Sequence, residues 1–151
     1  MRLIWLLPTL LLALAACGSS TPEHPLDGTS WRLLSLESMD DKQGTTRVAD
    51  PSAFTVEFGT DGRAAFRIDC NRGNATWQAS AAAEDSGSLT FGPIATTRMA
   101  CPQPSLDTQV STALGYVRGY LLKDGQLHMS LLADGGILHW EPNPAETSEK
   151  P

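Results

Sequence analysis

Phe54-Thr55-Val56-Glu57-Phe58-Gly59-Thr60-Asp61-Gly62-Arg63-Ala64-Ala65-Phe66-Arg67-Ile68-Asp69 is the stretch from which the architecture follows. On both sides of residues 59–62 apolar side chains recur at every second position, and an extended chain sends such positions to one face. Period two around a Gly/Asp turn predicts a β-hairpin. Phe54, Val56 and Phe58 should face the same core as Ala64, Phe66 and Ile68.

Toward the C-terminus, Cys70-Asn71-Arg72-Gly73-Asn74 is expected to reverse the chain into a strand over residues 75–79, with residues 80–87 a weak linker before a short strand ending in Leu89-Thr90-Phe91. Gly92-Pro93 then breaks the strand, and Ile94-Ala95-Thr96-Thr97-Arg98-Met99-Ala100-Cys101 reads as a long loop. Such loops lie on the surface unless something pins them. Cys101 is the candidate pin and Cys70 the candidate anchor. Over residues 104–117, Leu106, Val110, Ala113, Leu114 and Val117 fall at helical spacing, with Ser105 as N-cap and Asp107 complementing the first-turn dipole. The apolar stripe is read as packing on the core rather than as a partner groove. After Gly119, Asp124-Gly125 sits between two alternating segments, a type I′ hairpin signal because both turn residues need positive φ. Asp134-Gly135-Gly136 turns the chain into a last strand, and residues 142–151 read as a disordered tail.

Toward the N-terminus, residues 39–51 form a polar loop, and Leu26-Asp27-Gly28-Thr29-Ser30 leads into a strand over residues 31–36 whose two faces are both apolar, so that it should be central or well covered. The count is about eight strands joined mostly by hairpins, with one helix between the fifth and sixth. The fold class is therefore α+β: a single small domain with a curled or barrel-like antiparallel β-sheet, because curling protects sheet edges.

Arg2 followed by an apolar run over residues 3–14 is too short for the roughly 20 residues that span a bilayer, and reads as a signal peptide over residues 1–16. Its end, Leu14-Ala15-Ala16-Cys17, resembles the lipobox of bacterial lipoproteins, in which the cysteine is acylated with chains such as palmitate and becomes the new N-terminus. Plain secretory cleavage, leaving a free Cys17 thiol, is the alternative. Gly18 rather than Asp after that cysteine implies the outer membrane under the enterobacterial sorting rule, with the domain at its periplasmic face. Residues 17–25 would be the lipidated tether, reaching about 3.3–3.6 Å per residue, with His24 solvated in it. The net charge of −6 becomes −7 once Arg2 is cleaved off, so the chain has no basic footprint for nucleic acid. The expected partners are instead the membrane, through the acyl chains, and an envelope protein or a lipid.

With Cys17 acylated, Cys70 and Cys101 remain as a pair in an oxidising compartment, where a disulfide is the favoured reading. A redox-active pair is the sharper alternative, but the chain has no Cys-x-x-Cys motif. Asp69, Asn71, Arg72 and Arg98 flank these cysteines and could form a recognition patch; against that, Asn71 and Arg98 could instead satisfy backbone groups of the long loop. His128 and His139 lie in neighbouring strands on the face opposite Leu127, Met129, Leu138 and Trp140, so solvent exposure is favoured over metal ligation. Neither a metal nor another cofactor is expected. No hydrolase elbow, zincin, P-loop or dinucleotide motif occurs, and no nucleophile–base set assembles, so an enzyme is disfavoured.

Taken in order, Leu26-Asp27-Gly28-Thr29-Ser30-Trp31-Arg32-Leu33, Phe58-Gly59-Thr60-Asp61-Gly62-Arg63, Cys70-Asn71-Arg72, Leu89-Thr90-Phe91, Ala95-Thr96-Thr97-Arg98-Met99-Ala100-Cys101 and Asp124-Gly125 resemble the META, or HslJ-like, domain over residues 26–141. Asp69 stands where the family usually has Gly, and Gly73-Asn74 where it has an aromatic, leaving Trp77 to supply a ring. The resemblance implies a small β-rich domain of bacterial envelope lipoproteins, associated with heat induction, drug tolerance or virulence, without an established enzymatic activity. It also implies a likeness to a lipid-binding pilotin of type III secretion. Two roles follow as expectations: stress response or envelope maintenance through protein contacts, or binding of a lipid or hydrophobic ligand at the mouth of the curled sheet.

Overall fold

The computed structural model describes residues 24–144. The signal peptide, Cys17, most of the tether and residues 145–151 lie outside the described residues. Eight strands close into an antiparallel barrel: β1 (Ser30–Glu37), β3 (Phe54–Phe58), β4 (Arg63–Ile68), β5 (Asn71–Ala83), β6 (Ser86–Phe91), β8 (Val117–Lys123), β9 (Gln126–Leu131) and β10 (Ile137–Pro142), with β10 pairing back onto β1. Two short strands flank this cycle, β2 (Thr45–Arg47) on β1 and β7 (Ala95–Thr96) on β5. The one α-helix among the described residues, α1 (Asp107–Gly115), lies between the fifth and sixth barrel strands.

The opening hairpin pairs Phe54 with Ile68, Val56 with Phe66 and Phe58 with Ala64, and all six side chains are buried. Leu33, Leu89, Leu127, Met129, Leu138 and Trp140 fill the rest of the interior, each at most 1% exposed. Period-two alternation therefore builds a solid core rather than a lumen. In β1 the alternation breaks: the pairing with β10 shifts register between Leu33 and Ser35, a bulge at Leu34 that turns Leu36 inward behind Leu33. That bulge explains why the strand shows apolar residues on both sequence faces.

Several expectations are corrected. The reversal after β4 is made by Asp69 and Cys70 alone, with Asp69 at φ 56°, and residues 71–74 already belong to β5. Residues 80–87 are not a linker: β5 and β6 extend as one long hairpin, pairing Ser80 with Ser88 and Ala83 with Ser86. The helix stops at Gly115, and Val117 and Gly119 lie in β8. Ser105 is not its N-cap; Leu106 takes that position with no side-chain cap bond, although the Asp107 N–H does donate to Ser105 Oγ at 3.2 Å. The polar loop over residues 39–51 contains β2. Asp124 and Gly125 both have positive φ, as a type I′ turn requires.

The two barrel ends differ. At one end the chain enters and leaves, and tight turns join the strands. There His24 is not solvated but plugs the opening: its Nε2 lies 3.2 Å from the Tyr120 hydroxyl and its ring meets Trp77 edge-on at 5.8 Å, while Leu26 is fully buried beneath. The chain also stays ordered beyond residue 141, with Pro142 paired to Trp31 and the Asn143 N–H donating to Ser30 O. The other end carries every long connection and is covered by α1 through Val110, Ala113 and Leu114. Among the described residues the buried core runs from Leu26 to Trp140.

Candidate functional site

The far end of the barrel, opposite Ser30 and Pro142 where β1 begins and β10 ends, presents the loop that follows β6. A disulfide joins Cys70 to Cys101, with Cα atoms 5.5 Å apart. A second fastening is Asn71, the one buried polar residue among the described residues, at 6% exposure. Its Oδ1 accepts from the Met99 N–H at 2.8 Å and from the Thr97 hydroxyl at 2.9 Å, and its Nδ2 donates to Met99 O at 3.2 Å. Thr97 in turn accepts the Arg72 N–H and donates its own N–H to Arg72 O. A short side chain at the start of β5 thus acts as an extra rung of sheet, pairing with a segment too irregular to form one.

The four polar residues around the bridge have different fates. Asn71 is spent on loop backbone. Asp69 holds the approach to α1, its carboxylate accepting the Ser105 hydroxyl at 2.6 Å. Arg72 and Arg98 are exposed, and Arg98 makes no hydrogen bond among the described residues, so it does not satisfy loop backbone as the alternative reading expected. Arg67 stands directly across from Arg72, Met99 is 61% exposed and Ala100 is exposed beside it. The outward face of the strap is therefore a basic and apolar surface on an acidic protein.

Sequence reasoning missed a second arrangement on the barrel wall. His128 and His139 face each other across β9 and β10 with their Nδ1 atoms 2.8 Å apart, and His139 Nε2 lies 2.7 Å from the Glu37 carboxylate. Burial first, and then the neighbouring His139 and Lys123, push the His128 pKa below the ordinary imidazole value. Alternation put both histidines on the outer face; only the register set by the Gly135-Gly136 turn puts them side by side. Among the described residues no group of three His, Cys, Asp or Glu side chains is placed to hold a metal ion.

A third feature is a groove of about 670 Å³ beside α1, with Leu36, Ala113 and Leu138 on its floor and Leu131, Leu132 and Gly135 along its edge.

A META domain family model matches residues 24–143, from the His24 plug to the end of the closing strand. The chain belongs to the META domain family. This agrees with the resemblance read from the cysteine loop and moves the start of the domain two residues ahead of Leu26. Among solved structures, an NMR structure of a protein from Burkholderia xenovorans shares 23% identity with a TM-score of 0.63, covering 91% of this chain and 99% of its own. A crystal structure of a DUF4847 family protein from Bacteroides vulgatus shares 14% identity with a TM-score of 0.54, over 79% of this chain and 95% of its own. At these identities the likeness is one of fold. No curated protein matches the chain in sequence.

Proposed function

We propose that this META-domain protein is a non-enzymatic, lipid-anchored protein of the bacterial envelope that acts in stress response or envelope maintenance through protein contacts, with the strapped loop as its contact surface. One observation carries the reading: an exposed loop is fastened by a disulfide and a buried Asn and turns Arg98 and Met99 outward. A rigid surface loses little entropy on binding, and Met and Arg are enriched where proteins meet. The lipobox-like run Leu14-Ala15-Ala16-Cys17 supports the placement, since multiple acyl chains on that cysteine would anchor stably. That anchor would lie at the terminal end of the barrel and leave the strap facing away from the membrane.

The test places a photocrosslinking residue at position 99 or at position 124, on the opposite end, in growing cells. A discrete adduct from position 99 that Arg98→Ala abolishes, while the purified variant melts as the parent does, supports the reading. Equal adducts from both positions, or a fall in melting temperature with Arg98→Ala, would refute it. A second reading, binding of a hydrophobic ligand, finds no room inside the filled barrel and rests on the groove beside α1.

A further inference from the structure

We infer that this groove binds a small amphiphile with a cationic, ammonium-type head, seated on Glu37, and an apolar body lying along α1. The inference gives the second reading its site and ligand class, and it rests on that reading. The groove has the volume of a small-molecule site, about 670 Å³. Its floor is apolar, and at its edge stand two large half-exposed side chains, Tyr116 at 51% and Leu132 at 48%, whose backbones are joined by a hydrogen bond from the Leu132 N–H to Tyr116 O. Between Leu132 and Gly135, which line the groove, the chain passes through Ala133 at left-handed φ, 53°, an uncommon conformation for Ala. Strain of this kind persists where the surroundings hold it.

Charge selects the head group. Glu37 is the only charged residue among those lining the groove; the others offer neutral hydroxyls and amides or apolar surface. His139 fixes Glu37 Oε2 at 2.7 Å, while Oε1 has no partner among the described residues and can accept from a bound ammonium. A carboxylate or phosphate head would meet no counter-charge here and would face Glu37, so fatty acids and anionic lipids are disfavoured by like-charge repulsion.

The experiment is an amide chemical-shift titration of the full chain with octylammonium, octanoate and octyl glucoside, each below its micelle concentration. Octylammonium should bind at least tenfold more tightly than octanoate, shifting amides of residues 36–38, 109–116 and 131–135. Glu37→Gln should remove that preference. Thr112→Trp, at an exposed helix position facing the groove, should block all three without disturbing the core. Tighter octanoate binding, or a preference that survives Glu37→Gln, would overturn the charge assignment. Binding of octyl glucoside alone would keep the hydrophobic-ligand reading and overturn the ammonium one. Absence of binding by all three would overturn both.

Discussion

Replacing Asn71 by Ala tests the strap at its most heavily used side chain. The substitution removes the acceptor for the Met99 N–H and the Thr97 hydroxyl and the donor to Met99 O. Each such bond contributes about 0.5–1.5 kcal/mol net, and a group left buried without a partner costs more. Met99 is 61% exposed, so its backbone can recover water, which holds the total toward the lower part of the range. The expected loss is roughly 2–3 kcal/mol of unfolding free energy, measured by urea denaturation. Thr97→Val removes one of the same bonds, so the double variant should lose about 0.5–1.5 kcal/mol less than the two single losses added. Arg98→Ala, by contrast, should stay within about 0.5 kcal/mol of the parent. The reasoning fails if Asn71→Ala costs less than about 0.5 kcal/mol, or if Arg98→Ala costs as much.

Reducing the disulfide, or replacing both cysteines by Ser, reopens a loop of about 32 residues and should cost roughly 3–4 kcal/mol by denaturation; an unchanged midpoint would contradict that. His128 binds its proton less readily in the folded barrel than in the unfolded chain, whose value is near 6.5, so the unfolded chain takes up more protons on acidification. Stability should therefore fall from about pH 6.5 toward the lowered folded value, and His128→Gln should flatten the melting-temperature profile between about pH 7.5 and 5.5. Gly136 has φ 128°, and a Cβ there would lie 2.1 Å from Glu37 O at the β1–β10 seam, so Gly136→Ala should cost at least about 2 kcal/mol. Gly115→Ala, which meets nothing within 4 Å at the end of α1, should be neutral or slightly stabilising in the same assay.

What was legible in the sequence depended on burial. Strands that bury one face, such as Phe54–Phe58 and Arg63–Ile68, print a period of two, and their pairing and core residues could be read directly. The far half of β5 could not, because residues 80–83 bury neither face and a strand exposed on both sides carries no hydrophobic pattern. The bulge in β1 hid the inward Leu36 for a related reason, since one added residue inverts the alternation behind it. Barrel closure joins Trp31 to Pro142, a pairing no local pattern reports. At the candidate site the cysteines were legible, but the separate fates of Asn71 and Arg98 depended on which side chain turned inward. The His128–His139–Glu37 chain and the groove are assembled by register and by distant segments, and the sequence carries no local sign of either.

The central claim is that the loop over residues 95–101 is a preformed surface rather than a mobile one. Backbone ¹⁵N relaxation across that loop tests it most directly. Fastened by Asn71 and the disulfide, Thr97 and Met99 should show order parameters near about 0.85, as the barrel strands do, whereas values below about 0.6 in the oxidised protein would contradict the account.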